Sequence, residues 1–338
     1  MASPADRNKP VISLMVGDPA GIGPEIVLKS LAEPEVQAMC RPLLVGNYDD
    51  IAASAKRWPP GVSLVKGEGK DTAEGKLPAA TVEVVDVPSD GASFEVGNVS
   101  AGSGAIVHRS IRQVFSLLED SRADGTVMAP IAKEALHRAG LKYLSEFEIY
   151  GELCHVDEVK AVVKSGDLYR STVTEHIPFR DIPARLTSVR IENTARVLCD
   201  TMRQFGVTRP LLAVAALNPH AGEGGLMGNE EETIIAPAIH ALAREGLDVQ
   251  GPIPADTLFT RAKGGEFNGL IYLYHDQGNI AFKAASFGHL VLIYGGIPPV
   301  ITSVGHGTAF DIAGKGVADH RNFVDAIAAA VQLVISKR

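Results

Sequence analysis

Short apolar runs recur along the chain, separated by polar or mixed stretches. Most of these runs are continuous and rich in Val, Ile and Leu, which is typical of strands buried on both faces. The runs that predict strands are Val11–Val16, Leu43–Val45, Val82–Val87, Thr126–Met128, Lys160–Val163, Leu211–Leu217 and Leu270–Tyr274.

Apolar residues at helical spacing mark the stretches between these runs. Ser103–Glu119 shows this spacing clearly, because its apolar residues recur every three or four positions. The other predicted helices are Pro24–Ala32, Ile191–Phe205, Glu230–Glu245 and Asn322–Ile335. Strands that alternate with helices predict an α/β fold with a largely parallel sheet.

One segment, Lys56–Leu77, departs from this alternation. It is rich in Gly, Lys and Glu, and it holds the only Trp of the chain. Such a composition indicates surface loops around a short strand. We expect that strand at Gly61–Val65, where it could pair with Thr81–Val87.

Composition narrows the possible functions. The 338 residues are 46 % hydrophobic and 21 % charged, close to the average for globular proteins, which excludes a disordered chain. This length indicates two domains. The formal net charge of −8 argues against a nucleic-acid surface, because phosphate binding needs clustered basic charge.

Neither a membrane segment nor a disulfide framework is predicted. The longest apolar candidate, Leu290–Val300, is interrupted by glycines and prolines and is shorter than the ~20 residues that span a bilayer. Cys40, Cys154 and Cys199 lie far apart and form no CxxC pair. Because the first residues are polar and do not resemble a secretory signal, we expect a cytoplasmic protein with reduced thiols.

A turn rich in Gly and Pro follows the first predicted strand. The segment Gly17–Ile26 reads GDPAGIGPEI and leads directly into a helix. Glycines such as Gly21 and Gly23 let backbone N–H groups approach a ligand, and a helix N-terminus favours an anion. The segment is neither a GxGxxG fingerprint nor a Walker loop. It predicts either a ligand-facing turn or simply a tight strand-to-helix connection.

Three histidines each follow a predicted strand. They are His176 after Tyr169–Thr174, His220 after Leu211–Leu217 and His275 after Leu270–Tyr274. In open α/β sheets, ligands collect at the carboxyl ends of strands. Three imidazoles with an open position suit Zn²⁺, Ni²⁺ or Co²⁺ and would form a Lewis-acid site. Spacing alone leaves open whether these histidines bind a metal or are structural.

Near its C-terminal end the chain carries another glycine-rich stretch. His306–Gly316 reads HGTAFDIAGKG and precedes the last predicted helix. Asp311 could accept hydrogen bonds from a ribose diol and would repel a 2′-phosphate. The alternative is an ordinary loop.

Together these stretches resemble the 4-hydroxythreonine-4-phosphate dehydrogenase family of vitamin B6 synthesis, from about Val11 to Val334. Gly21–Glu25 and His306–Gly316 also resemble isopropylmalate and isocitrate dehydrogenases. The resemblance implies a two-lobed, three-layer α/β/α fold with a cleft between the lobes. We expect a discontinuous NAD-binding lobe of residues 1–130 and 290–338, and a metal and dimerisation lobe of residues 131–289.

The resemblance also implies the cofactors and the chemistry. NAD would bind at Gly21, Gly23, His306, Gly307 and Asp311, with the stretch from His306 to Asp311 cradling the adenosine. The family oxidises a secondary alcohol with NAD(P)⁺ and gives a β-keto acid that loses CO₂.

The family's metal is held by three histidines, which match His176, His220 and His275, in a homodimer whose sites are completed across the subunit interface. Zn²⁺, Co²⁺, Ni²⁺, Mg²⁺ and Mn²⁺ all remain candidates. Asp276 would support the metal side, Lys283 would contact the substrate carboxylate, and Lys133 is a candidate for proton transfer.

Departures from the family pattern concern the substrate. A family Gly-His-Thr-Glu stretch aligns with residues 145–148, so Glu146 and Phe147 replace His and Thr, whereas the family Lys is kept as Lys283. Leu292 and Ile301 stand where the family has Asn and Arg. A phosphate would lose a bidentate contact and face a carboxylate.

These apolar replacements resemble a branch typified by terephthalate 1,2-cis-dihydrodiol dehydrogenase. We therefore expect a non-phosphorylated hydroxy or diol carboxylate as substrate. The alternatives are a true 4-hydroxythreonine-4-phosphate dehydrogenase and a non-catalytic homologue that keeps its metal and nucleotide sites.

Overall fold

The strands predicted from continuous apolar runs form with mostly buried side chains, whereas the strand expected at Gly61–Val65 forms at Ser63–Gly67 with exposed and half-buried residues. The computed structural model describes residues 8–286 and 289–338. Its strands are β1 Val11–Met15, β2 Arg41–Gly46, β3 Ser63–Gly67, β4 Thr81–Asp86, β5 Gly125–Met128, β6 Lys160–Ser165, β7 Leu168–Thr174, β8 Leu212–Ala215, β9 Val249–Ile253, β10 Gly269–Tyr274, β11 Val291–Gly295 and β12 Ile301–Val304.

Helices alternate with these strands along the chain. They are α1 Gly23–Leu31, α2 Pro34–Met39, α3 Tyr48–Ala55, α4 Lys70–Glu74, α5 Ala101–Glu119, α6 Lys133–Arg138, α7 Glu146–Cys154, α8 Ile182–Arg185, α9 Ser188–Gln204, α10 Ala236–Arg244, α11 Ala255–Lys263, α12 His275–Ser286 and α13 Arg321–Lys337. Short 3₁₀ segments lie at Phe179–Asp181 and Pro219–Glu223, and a π-helical turn lies at Glu231–Ile235. The mixed α/β class is confirmed.

The chain divides into two units. Unit 1 comprises Met1–Asp157 and Ile297–Arg338, and unit 2 comprises Glu158–Gly296. Residues 131–157, assigned to the second lobe from the sequence, lie in unit 1. Packing explains their place, because α6 approaches α5 so closely that a Cβ on Gly104 would lie 2.0 Å from the carbonyl oxygen of Ala135.

In unit 1, parallel strands lie in the order β3-β4-β2-β1-β5-β12. The predicted pairing of β3 with β4 is confirmed, and their register joins Ser63 to Thr81. The longest predicted helix here, α5, begins at a Ser100 side chain that accepts from the Ser103 N–H at 3.0 Å. The apolar residues of α5 lie on one side of the helix and pack toward the sheet, and Ile111 and Val114 are both fully buried there.

In unit 2 the strand order is β11-β6-β7-β10-β8-β9. Strands β7, β10, β8 and β9 are parallel, but β6 is antiparallel to both β7 and β11. The reason is a two-residue turn between β6 and β7, where Gly166 has a φ of +56° and returns the chain at once.

The helix predicted at Glu230–Glu245 differs from the prediction at its beginning. It starts as the π-helical turn and becomes α-helical only from Ala236. Pro237 has no N–H to donate to the preceding turn, which favours the wider winding there.

The three cysteines are free thiols, and burial raises the pKa of the Cys40 thiol to about 12. Within residues 8–286 and 289–338, no helix combines the length and apolarity required to cross a bilayer.

Candidate metal centre and nucleotide loop

Two of the predicted histidines come together in unit 2. Strands β7 and β10 are parallel neighbours, and their register pairs Thr174 with Tyr274 at their carboxyl ends. His176 and His275 follow those ends, so their ring centroids lie 5.2 Å apart. Glu175 joins them, and one potential ligand atom from each of the three residues lies within 4.8 Å of the others.

A carboxylate next in sequence orients one of these rings. The Nδ1 atom of His275 lies 2.7 Å from Oδ1 of Asp276. An imidazole held in this way through Nδ1 presents Nε2 to a metal, which is the usual carboxylate–histidine arrangement. The geometry therefore suits the expected supporting role of Asp276.

His220 emerges at the same edge of the unit 2 sheet but does not join the cluster of Glu175, His176 and His275. It follows β8, which is the parallel neighbour of β10. Gln277 links the two strand ends, because it accepts from the Leu273 N–H and donates to the Ala216 carbonyl, both at 2.8 Å. His220 itself is exposed and has a φ of +51°.

The loop that carries His220 is fastened by a carboxylate that the sequence pattern does not reveal. Glu231, only 4 % exposed, accepts from the backbone N–H groups of Leu217 and Asn218 at 2.9 and 2.7 Å. Burial opposes ionisation, but hydrogen bonds from Asn218 and Leu217 outweigh it and lower the pKa of Glu231. Gly222 permits the close approach, because a Cβ there would lie 2.9 Å from Oε2 of Glu231.

In unit 1 the Gly-Pro turn and the C-terminal glycine-rich loop contact each other. The Ile22 N–H donates to the carbonyl of Thr308 at 3.0 Å. A Cβ on Gly21 would lie 2.8 Å from that same oxygen, and one on Gly23 would lie 2.1 Å from the carbonyl oxygen of Val16. Both glycines are thus required by close backbone packing.

A buried ion pair anchors the far end of the same loop. Glu25 is fully buried and accepts from the N–H groups of Gly316 at 3.2 Å and Ala318 at 2.8 Å. Lys29 binds Glu25 at 2.7 Å and donates to the carbonyls of Gly316 and Ala318. The loop is therefore held at Thr308 and again at its end. His306 and Gly307, just before Thr308, and Asp311, between the two anchors, remain exposed.

Other expected site residues fall in different surroundings. In unit 1, Lys133 Nζ lies 2.7 Å from a carboxylate oxygen of Glu146, and the two side chains form an ion pair. The residue expected to transfer a proton and a residue expected to contact the substrate therefore partly neutralise each other's charge. Ile301 begins β12 and is fully buried, so it offers no surface to a substrate in this conformation. In unit 2, Leu292 packs against the hydrophobic core, whereas Lys283 is exposed. Phe147 is half-buried.

Unit 2 carries imidazoles at the carboxyl ends of parallel strands, and unit 1 carries an anchored glycine-rich loop at a helix start. Within the described residues, these features define an α/β protein with a candidate metal centre and a candidate nucleotide site. A family model described as "Pyridoxal phosphate biosynthetic protein PdxA" matches residues 38–330. The chain belongs to this family.

Curated relatives span almost the whole chain. It is 37 % identical to the D-threonate 4-phosphate dehydrogenase of Cupriavidus necator, covering 96 % of this chain and 97 % of that protein. It is 38 % identical to the 4-hydroxythreonine-4-phosphate dehydrogenase of Geobacter metallireducens, covering 97 % and 96 %. Both relatives are dehydrogenases named for phosphorylated substrates.

Solved structures agree with this picture. A 4-hydroxythreonine-4-phosphate dehydrogenase from Klebsiella pneumoniae matches with a TM-score of 0.83 at 36 % identity, covering 97 % of this chain and 98 % of that one. A terephthalate 1,2-cis-dihydrodiol dehydrogenase from Burkholderia xenovorans matches less closely, with a TM-score of 0.64 at 26 % identity over 96 % and 98 %. The expectation of a terephthalate-type substrate is not supported, and the alternative of a phosphorylated substrate fits better.

Proposed function

We propose that the protein is an NAD-dependent and divalent-metal-dependent dehydrogenase that oxidises the secondary alcohol of a phosphorylated hydroxy acid. The observation that carries the substrate class is the end-to-end similarity to the Cupriavidus necator and Geobacter metallireducens enzymes. Loss of CO₂ from the resulting β-keto acid is part of the proposal.

His176, His275 and His220 would hold the metal. The first two already face each other with Glu175, and Asp276 orients His275, so the donor set suits a divalent ion. When bound, the ion would supply Lewis-acid polarisation of the alcohol oxygen. The chain's own contribution is to hold the imidazoles in place at the carboxyl ends of the unit 2 strands.

Two lysines, Lys133 and Lys283, are proposed to act on the proton and on the negative charge of the substrate. When bound, NAD⁺ would accept the hydride that leaves the alcohol carbon, and a base of the chain would take the alcohol proton. Lys133 is the proposed proton acceptor: as a neutral amine it would take the alcohol proton, and the Glu146 carboxylate, 2.7 Å away, would stabilise the ammonium that forms. Lys283 is the proposed contact for an anionic group of the substrate.

Unit 1 is the proposed nucleotide lobe. Its loop is pinned at Thr308 by the Gly21 turn and at Gly316 by Glu25, which leaves His306, Gly307 and Asp311 exposed for adenosine. Asp311 would favour NAD over NADP, because a carboxylate repels a 2′-phosphate. Unit 2 is the proposed metal and dimerisation lobe of a homodimer, which light scattering of the purified protein would test.

The decisive experiment follows NADH absorbance with three substrates: D-threonate 4-phosphate, 4-phosphohydroxythreonine and terephthalate cis-dihydrodiol. Turnover of a phosphorylated substrate that a chelator abolishes and a divalent metal restores is the expected result. Turnover of the dihydrodiol alone would reverse the substrate assignment. An absence of metal dependence with every substrate would refute the metal mechanism.

A further inference from the structure

Glu175 is not one of the three histidines expected to bind the metal. It follows the last residue of β7 directly, and His176 comes next. The structure nevertheless groups one of its carboxylate oxygens with ring nitrogens of His176 and His275, all within 4.8 Å of one another. Ligands of a tetrahedral ion with bonds of about 2.1 Å lie about 3.4 Å apart, so side-chain shifts of about 1 Å would bring all three into contact with one ion.

The position of the Glu175 carboxylate is set by the strand before it. Thr172 is 1 % exposed, and its hydroxyl donates to Oε1 of Glu175. A hydroxyl fixed in a sheet therefore limits the rotation of this carboxylate. Such a neighbour is typical of ligating carboxylates, which are themselves hydrogen-bonded.

Charge balance offers a competing role for Glu175. The negative charge of Glu175 acts on two buried cations. Arg170 is 3 % exposed and Lys160 is 5 % exposed. Burial lowers the pKa of both, and the negative charge of Glu175 opposes that fall.

The two cations differ in their own contacts. Lys160 is paired with Glu158 at 2.8 Å, and Arg170 donates to Oδ1 of Asn279 at 2.5 Å. Lys160 therefore has a counterion of its own, whereas Arg170 has a neutral partner in Asn279 and Glu175 as a nearby negative charge. A charge role toward Arg170 leaves the carboxylate oxygens in the cluster with the histidines.

We propose that Glu175 is an anionic ligand of the same ion as His176 and His275, which adds a carboxylate to the imidazoles of the proposed centre. The inference rests on the metal centre proposed above and names a ligand beyond it. Carboxylates suit Mg²⁺ and Mn²⁺, whereas imidazoles suit Zn²⁺ and Ni²⁺. Glu175 would therefore extend the range of accepted metals toward Mn²⁺.

Calorimetric titration of the chelator-treated full chain with Mn²⁺ or Zn²⁺ alone tests this without measuring turnover. Glu175→Gln keeps the size of the side chain and removes its charge. It should weaken Mn²⁺ binding about 10–100-fold and Zn²⁺ binding by a smaller factor. Glu232→Gln is the matched control, an exposed glutamate of the same unit, and should bind both metals as the wild type does.

His275→Ala distinguishes a failure of the proposed metal centre from a failure of the proposed role of Glu175. If wild type and His275→Ala bind both metals equally, the metal centre itself is refuted. If only His275→Ala loses binding while Glu175→Gln matches the wild type, the centre stands and the role of Glu175 is overturned.

The visible absorption of bound Co²⁺ gives a second reading. It should differ between wild type and Glu175→Gln, because a ligand changes. Identical spectra would also overturn the inference.

Discussion

The two candidate sites are built in opposite ways. In unit 1, the exposed loop residues are positioned by buried groups, since Gly21 contacts Thr308 and Glu25 binds the backbone of Gly316 and Ala318. In unit 2, the proposed metal ligands are themselves exposed or half-exposed side chains at the ends of strands. Substitutions should therefore cost mainly stability in the first region and mainly function in the second.

The largest expected effect is functional and lies in unit 2. His275→Ala removes a proposed ligand, and we expect catalytic efficiency to fall by at least about 10³-fold, since the polarisation of oxygen by a metal contributes several kcal/mol. Stability should change by no more than about 0.5 kcal/mol, because the side chain lies at the surface. Steady-state kinetics and urea unfolding check both values. His240→Ala, an exposed histidine on α10, is the control.

The next effect is structural and lies in unit 1. Glu25→Ala deletes a fully buried carboxylate that holds two backbone N–H groups and Lys29. We expect a loss of about 2–3 kcal/mol in the free energy of unfolding, at the lower end for a broken buried pair because Lys29 is partly exposed. Glu35→Ala, on the exposed face of α2, should cost almost nothing in urea unfolding. Equal losses for the two variants would remove the distinction between the regions.

Gly21→Ala sharpens the comparison inside the nucleotide region. Its Cβ would lie 2.8 Å from the carbonyl oxygen of Thr308, so the loop must shift, at a cost of about 1–2 kcal/mol. We expect the KM for NAD to rise several-fold. A Cβ on Gly307 meets no atom within 4 Å, so Gly307→Ala should leave the unfolding free energy unchanged. Equal destabilisation by both variants would contradict the close-packing argument.

The smallest expected effect depends on pH and concerns the loop of His220. The pKa of Glu231 is lowered from its ordinary 4.5 in the folded state. Its ionised form therefore stabilises the protein fully above that ordinary value, and this contribution is lost as the pH falls through the lowered pKa. Glu231→Gln should cost about 1 kcal/mol at pH 7. Urea unfolding measures the difference in unfolding free energy between variant and wild type, and this difference should shrink below pH 4.5. A difference that grows below pH 4.5 would contradict the prediction.

Local patterns account for much of the fold. Continuous apolar runs identified β1, β2, β4 and β10, and the histidines that follow strands led to the pair of His176 and His275. The same patterns predicted β6 at Lys160–Val163 but not its antiparallel direction, because a two-residue turn with one glycine decides that direction. They also missed the helix α4 in a segment that was expected to be loops.

Long-range partners explain what the sequence did not reveal. Glu25 and Gly316 are far apart along the chain, and so are Thr308 and Gly21, so no spacing rule links them. Glu231 reaches Asn218 across a glycine-rich loop, and only the folded backbone shows this contact. The expected terephthalate-type substrate, which the comparisons do not support, rested on single replacements such as Ile301, which is fully buried in β12.

The insertion of unit 2 within unit 1 has a consequence for biosynthesis. Strand β5 lies between β1 and β12, yet β12 is translated only after all of unit 2. At about 5–20 residues per second, the ~170 intervening residues take about 10–35 s to emerge from the ribosome. Throughout that interval β5 is an unpaired edge that other nascent chains can join. Aggregation during expression should therefore depend on translation speed through unit 2, and slowing the ribosome there should increase it.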